Sequence, residues 1–430
     1  MRNRVSLRKT DRDPCISAFA RGQPFGELDW ELTPSALLWA HRVKESTIAL
    51  AMVSNVVIAG AGIGGLTLAV ALRRRGIRVS VFERASQLTA VGAGIGLPAN
   101  GVKALQNLGL GDAVMRAGMV VERAVILDSR GRQLGSEVDL TEVYQSMGAS
   151  LVALHRGRLH AVLLDAVGSH AVTTGAQVAS FEQDARSVHV ALMGGERIDT
   201  ELLVGADGLH SSVRAQLMGA QPPAYSGYTS WRGVTPANSV TLPGRTSESW
   251  GRGERFGIVP IGFGEIYWFA VADAPAGGKD VDVRRELMTR FGSWHAPVTA
   301  IIEATPPDRV VRTDIYDREP IPRWHSGRVV LLGDAAHPMT PNLGQGAGQA
   351  IEDAVVLDAC LAATSFLEDA LLQYEERRIA RANSIVRASR RFGALAQWSN
   401  PVAAWLRDRA MSLMPASIAI NQARRLMDDT

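Results

Sequence analysis

The sequence predicts an α/β protein in which a parallel sheet, assembled from distant segments, is interrupted by an inserted antiparallel sheet and followed by helices. Three observations carry that expectation. Val56-Val57-Ile58-Ala59 is a short apolar run ending in glycines, the mark of a strand buried on both faces. The same mark returns at Leu202-Leu203-Val204 and at Val329-Val330-Leu331-Leu332, each time followed by glycine and aspartate. From about Tyr225 to Arg312 the chain is instead strand-rich, punctuated by glycine and proline, and aromatic, with Tyr228, Trp231, Trp250, Phe256, Phe263, Tyr267, Trp268 and Phe269.

Residues 1–52 differ in character from the rest of the chain. They open basic (Arg2, Arg4, Arg8, Lys9), carry Pro14, Pro24 and Pro34, and lack a continuous apolar run of signal-peptide length. They are expected to be a poorly ordered extension or to precede an internal start at Met52, with a docking arm as the alternative. After the first strand, Leu66, Ala69, Val70 and Leu72 have helical spacing, Arg73–Arg75 lie toward the negative helix end, and Gly76 stops the helix. Val79-Ser80-Val81-Phe82 is the second strand, completing a unit of about 30 residues, the length of a parallel crossover. Alternating strands around the Gly194-Gly195 turn predict an antiparallel meander between Val178 and Leu203. A small-residue helix is expected from Gly346, and everything beyond Leu371 reads as helical with arginine-rich faces. The tail beyond Ala394 mixes Trp398, Trp405, Leu406, Leu413 and Met414 with Arg407, Arg409, Arg424 and Arg425. That amphipathic pattern suits covering the protein's own core or a subunit contact, with a membrane surface as the alternative.

Composition closes several other routes. Of 430 residues, 46% are hydrophobic and 21% charged, which excludes wholesale disorder. No apolar run nears the ~20 residues that span a bilayer. Lys+Arg 46 against Asp+Glu 43 gives a net charge of +3, spread along the chain without the basic and aromatic clusters of a nucleic-acid groove. Cys15 and Cys360 stand far apart, so neither a disulfide framework, a thiolate metal site nor a redox pair is expected, and a cytoplasmic setting fits. The 42 glycines exceed the usual ~7%, as tight turns and close backbone approaches require.

Gly60-Ala61-Gly62-Ile63-Gly64-Gly65 follows a strand and opens a helix. Its glycines allow a tight turn and let backbone N–H groups approach a pyrophosphate at the positive helix end. Glu83 ends the second strand, where a carboxylate accepts bonds from a ribose 2′-hydroxyl. An acid there repels a 2′-phosphate, so the site suits FAD or NAD better than NADP. The domain is therefore Rossmann-like. Gly205-Ala206-Asp207-Gly208 follows another buried strand, and Asp207 reads equally as a ligand contact or as a helix N-cap. The third segment runs from Gly333-Asp334-Ala335-Ala336-His337 through Pro341-Asn342-Leu343-Gly344-Gln345 to Gly346-Ala347-Gly348-Gln349-Ala350. A carboxylate at a strand end can hold a sugar-alcohol chain, and the bare first helical turn stabilises negative charge with its free N–H groups. His337, beside a proline, reads as a structural hydrogen-bonder rather than a base.

These three segments, in this order and at these separations, resemble the single-component class A flavoprotein monooxygenases, the p-hydroxybenzoate hydroxylase fold, from Val53 to about Arg391. The resemblance implies a GR2-type FAD-binding domain of residues 53–117, 150–224 and 313–371. It also implies a β-sheet substrate domain of residues 118–149 and 225–312, with C-terminal helices over 372–430. Gly60, Gly62, Gly64, Gly65 and Glu83 would hold the ADP half of FAD, with Arg84 beside the ribose or adenine. Val178 would contact adenine, Arg156 the cofactor, Asp207 both FAD and NAD(P)H, Asp334 the ribityl chain, and Gly346, Ala347, Gly348, Gln349 and Ala350 the isoalloxazine. In such enzymes NADH or NADPH reduces the flavin, O₂ adds at C4a, and the hydroperoxide transfers OH to an electron-rich substrate.

Within that family the inserted sheet is most similar to the urate and salicylate hydroxylases, through Tyr225-Ser226-Gly227-Tyr228-Thr229-Ser230-Trp231-Arg232-Gly233. Arg255 and Tyr267 match positions that face the substrate, where an arginine would bind an anion and a tyrosine would orient it or relay a proton. Against this stand a rim salt bridge for Arg255 and a satisfied sheet aromatic for Tyr267. Arg232 replaces a neutral residue of the urate-type strand and either adds a second cationic contact or faces solvent. The expected reaction is hydroxylation of a small aromatic or heteroaromatic compound, by a monomer or homodimer. The same chemistry on a larger polyketide or isoprenoid is one alternative, and a non-catalytic NAD-binding module is another.

Overall fold

A computed structural model describes residues 53–88, 93–237 and 244–427. The expected extension of residues 1–52 lies outside the described residues. Asn55–Ala59 pairs in parallel with Arg78–Glu83 on one side and Leu202–Gly205 on the other. Val329–Leu331 adds beside Leu202–Gly205, and Val172–Thr174 beside Arg78–Glu83, both parallel. The two-residue strand His325–Ser326 closes one edge antiparallel. Val56, Val57, Ile58, Leu203 and Val330 are wholly buried, which is why their runs show no polar alternation. Register sets the working edge. Ala59 stands opposite Gly205 and Gly205 opposite Leu331, so the turns after all three strands emerge side by side at the carboxyl ends, where open α/β sheets bind ligands.

The first helix, Ile63–Arg74, is buried from Ile63 to Leu72 and stops at Gly76, whose φ of 77° few side chains tolerate. It packs against the small-residue helix Gly346–Ala363. A Cβ on Gly64 would lie 2.6 Å from Leu332 Cδ2 and 3.1 Å from Ala350 Cβ. The expected meander is present as Val178–Gln183, Val188–Leu192 and Arg197–Thr200, all antiparallel.

The inserted sheet has seven strands in the order Val311–Asp317, Ala224–Pro236, Glu265–Asp273, Glu254–Pro260, Arg245–Trp250, Arg123–Asp128 and Val138–Asp139. Alternation divides its faces. Trp231, Phe256, Ile258 and Trp268 pack against the helices Val283–Phe291 and Val298–Ala304. Those helices are not singled out by the sequence pattern; their local signal is Asp282, whose side chain accepts from the Arg285 N–H as an N-cap. The opposite face carries Arg232, paired with Phe269, and Val234, paired with Tyr267. This face turns toward the nucleotide domain, because the Tyr267 ring lies against Gly94 of the strand Gly94–Leu97.

Three boundaries differ from the sequence expectation. Val311–Asp317 belongs to the inserted sheet, so a division at 312/313 cuts a strand. Gly118–Val120 pairs with Val152–His155 in a separate three-stranded sheet, so the insert's first piece starts at Arg123. The helix Leu367–Ala396 runs through 371/372. Pairing across the chain decides each boundary, and local composition does not record it. Beyond that helix, Pro401–Ser412 buries Ala404 and Arg407 and leaves Val402, Trp405 and Leu406 exposed. Among the described residues no helix is long and apolar enough to cross a membrane.

Candidate active site

A cavity of about 170 Å³ opens at the carboxyl edge of the parallel sheet, and its wall contains Gly60, Gly62, Glu83, Arg84, Val178 and Asp207. The sequence names all six, and the fold gathers them. Gly60 has a φ of 103°, and a Cβ there would lie 2.4 Å from the Ala206 carbonyl oxygen. Gly65 is held just as tightly, 2.2 Å from the Gly60 carbonyl oxygen by the same measure. Gly62 is different: it lines the cavity, and a Cβ there would meet no protein atom within 4 Å. Glu83 is fixed by the N–H groups of Ala61 and Ala85, each donating at 2.9 Å. The N-cap of the helix Ser212–Met218 is Ser211 rather than Asp207. One Asp207 oxygen accepts from the Ser212 N–H at 2.8 Å, while Oδ1 is buried with no partner among the described residues. Arg84 is exposed at the rim, and the Val178 carbonyl accepts from the Ser212 hydroxyl at 2.8 Å. His210 and Ser212, from the small-polar segment after Gly208, also line the wall, as does Gln177, which carries no sequence signal of its own.

The second and third segments clasp one another. Arg214 is buried and donates from Nη1 to the carbonyls of Ala335 at 3.0 Å and Ala336 at 2.8 Å. Burial, with Arg318 nearby, pulls its pKa down to about 10. Asp334, in that turn, is exposed. The surrounding protein desolvates its carboxyl and raises its pKa, against the opposing pull of His337 and Arg156. Arg156, at the start of the helix Arg156–Val167, is exposed and within electrostatic reach of Asp334.

The helix Gly346–Ala363 begins as expected. Its first backbone bond runs from the Gln349 N–H to the Gln345 carbonyl at 2.9 Å, so the N–H groups of Gly346, Ala347 and Gly348 precede the ladder. Gly346 and Ala347 are half-buried, whereas the next three positions are buried. A Cβ on Gly348 would lie 2.6 Å from Pro98 Cγ, Gln349 Oε1 accepts from Arg378 at 2.7 Å, and Ala350 packs on Gly64 and Gly333. Beneath them Asp353 accepts from the Gly333 N–H at 2.9 Å, Arg378 Nε at 2.7 Å and His337 Nε2 at 2.5 Å. Burial alone raises the Asp353 pKa, but His337 and Arg378 outweigh it and hold the carboxyl at about 2. His337 is buried against Trp324, ring centroids 5.0 Å apart, and serves this network rather than the cleft.

On the inserted sheet the expected trio separates. Arg255 is only 2% exposed. Its Nε donates to Gln397 at 2.7 Å, Nη1 to Glu248 at 3.1 Å and Nη2 to Asn342 at 2.8 Å. It is neither a rim residue nor a free anion binder, because a guanidinium this deep requires partners on every nitrogen. Tyr267 is half-buried, and its hydroxyl bonds to no described residue. Burial pushes its pKa up to about 12, with Arg232 pulling the other way. Arg232 is half-buried: its Nε is buried, and it has no hydrogen bond or ion pair with a described residue. Among the described residues, Tyr267 Oη and Arg232 Nε on this face bond to no protein group, as does Trp250 Nε1 beside Arg255. Glu248, Gln397 and Asn342 are the contributors that sequence reasoning missed, since an isolated polar residue on a strand or helix end carries no local mark of burial.

Known proteins agree with this geometry. The FAD binding domain family matches residues 53–389. The chain is 49% identical over 377 residues to an aurachin C monooxygenase/isomerase of Stigmatella aurantiaca, covering 87% of this chain and 98% of that one. It is 36% identical over 344 residues to an FAD-dependent urate hydroxylase of Klebsiella pneumoniae, covering 78% and 89%. The structure of Klebsiella pneumoniae HpxO with FAD and uric acid superposes with a TM-score of 0.82 at 31% identity, covering 87% of this chain and 96% of that one. The orphan Asp207 oxygen, the open space at Gly62 and the free N–H groups at Gly346 fit an extended dinucleotide carrying negative charge. The non-catalytic alternative falls away: the chain belongs to the FAD binding domain family, among its flavin-dependent monooxygenases.

Proposed function

We propose that this protein is an FAD-dependent monooxygenase that consumes NADH or NADPH and O₂ to hydroxylate an aromatic or heteroaromatic compound. The observation that carries the reading is the pair of uncommitted groups, Arg232 Nε and Tyr267 Oη, on the sheet face turned toward the nucleotide domain. Gly60, Gly62, Gly64, Gly65, Glu83, Arg84, Val178 and Asp207 would hold the ADP half of FAD. Arg156, Asp334 and the Gly346–Ala350 turn would hold its ribityl and ring half. Bound FAD, once reduced, supplies the O₂-activating chemistry. Arg232 would stabilise the oxyanion of a phenol or enol whose deprotonation makes the ring electron-rich enough to attack. Tyr267, still protonated at neutral pH, donates a hydrogen bond and orients the ring. Arg255 holds the loop Pro341–Leu343 through Asn342, and the apolar sheet face keeps water away.

A second reading, the same chemistry on a larger natural product, draws support from an apolar cavity between the inserted sheet and the C-terminal helices and from the aurachin C relative. Accelerated NAD(P)H oxidation across aromatic acids, phenols and purines, with hydroxylated product followed against peroxide, tests the function. A flavin-loaded protein that oxidises NAD(P)H only to peroxide with every class overturns the hydroxylase reading.

A further inference from the structure

That apolar cavity, about 310 Å³, shares no lining residue with the cavity at Gly60 and Glu83. One wall is the inner face of the inserted sheet, including Ile126, Thr246 and Phe269, and the other is the C-terminal pair of helices, including Met411, Met414 and Ala419. Among the described residues Glu248 is the one ionisable group in the wall, and its carboxylate is already paired with Arg255 at 3.1 Å. The cavity therefore offers a ligand apolar contact and no free charge.

Its position matters more than its size. Phe269 lines the cavity and stands two residues from Tyr267 on the same strand face, ring centroids 6.0 Å apart. Phe269 is also the register partner of Arg232. The cavity thus begins where the two uncommitted polar groups end, and it runs away from them across the strands Arg245–Trp250 and Arg123–Asp128. A compact polar ring would occupy only the Tyr267–Arg232 end. A largely apolar cavity suits hydrocarbon better than water.

We propose that this cavity is a tail site, receiving a hydrocarbon chain carried by a planar head group that sits at Tyr267 and Arg232. The substrate class is then an amphiphilic ring compound rather than a compact purine or benzoate. This rests on the proposed function for the location of the head.

A calorimetric series of 4-alkylphenols, from ethyl to octyl, titrated into the FAD-loaded protein tests it. Dissociation constants are expected to fall about fourfold per methylene until the cavity is filled, then level off. Ala419→Trp, which fills the cavity, should flatten the series, and Leu134→Ala, which enlarges it, should move the plateau to longer chains. Affinity independent of chain length, no binding by any member, or unchanged slopes in both variants overturns the tail site. Calorimetry reports binding whether or not the phenol reacts. Chain-length dependence without hydroxylation therefore supports the tail site and counts against the activity reading alone.

Discussion

Arg255 on the inserted sheet donates to Asn342 Oδ1 at 2.8 Å, joining that sheet to the loop that leads into the Gly346 helix. Asn342 in turn donates to the Tyr228 hydroxyl at 2.9 Å and the Ser389 carbonyl at 3.0 Å. The side chain that resemblance points at a substrate is thus a structural tie. The tie also passes through Glu248, so the wall of the apolar cavity and the loop Pro341–Leu343 share one arginine.

Removing that arginine should cost stability as well as rate. Arg255→Ala leaves Asn342 and the partly exposed Glu248 carboxylate without their partner, at an expected cost of about 2–4 kcal/mol in chemical unfolding. Combined with Asn342→Ala, the double-mutant cycle should show a coupling of about 0.5–3 kcal/mol. Strict additivity would mean that the two residues act independently.

Tyr267→Phe should do the opposite. The lost hydroxyl bonds to no described residue, so stability should stay within about 0.5 kcal/mol. Turnover should fall roughly tenfold to a hundredfold, the worth of one hydrogen bond to a charged group. The pH dependence has a definite sign: the folded pKa is raised from 10.0 to about 12, so any effect on stability appears as a loss when pH rises through that window. Wild-type activity should show no limb from this group at neutral or mildly alkaline pH.

Two glycines of one turn should separate cofactor binding from folding. Gly62→Ala meets open space at a φ of −74°, so stability of the flavin-free protein should be unchanged or raised by up to about 1 kcal/mol. Its FAD affinity should fall at least about tenfold, because the methyl fills the phosphate approach. Gly64→Ala collides with Leu332 and Ala350 and should cost about 1–3 kcal/mol before any cofactor is added. Equal FAD affinities for Gly62→Ala and wild type, in a fluorescence titration, would refute the assignment of that cavity.

Asp353→Asn should destabilise the protein by about 3–5 kcal/mol at neutral pH, since Arg378 loses a fully buried counter-ion. The wild-type carboxyl is depressed from 3.8 to about 2, so it contributes stability above the upper value that is lost as pH falls through the lower. That contribution is about 2 kcal/mol, and acid unfolding of the variant should lack it.

Local sequence makes the dinucleotide site legible because its chemistry is backbone chemistry. A pyrophosphate needs glycines at a helix start, a ribose needs an acid at a strand end, and both constraints act within one strand–helix–strand unit. Gly60, Gly62, Glu83 and Asp207 are therefore recognisable from their immediate neighbours alone. The inserted sheet is less legible. Its alternating pattern marks which residues share a face, but Arg232, Tyr267 and Arg255 share a face and meet different fates.

What the sequence determined by itself was the parallel core, the three turns at its carboxyl edge and the cofactor class, all carried by short-range patterns of glycine, apolar runs and acids. What only the tertiary structure decided was which charged groups are spent and which are free. Gln397 and Asn342 reach Arg255 from segments 142 and 87 residues away, and no described residue bonds to Arg232 Nε. The reason is physical: a buried guanidinium is neutralised by whatever the fold brings beside it, and that neighbour is chosen by packing across the chain rather than by the residues on either side.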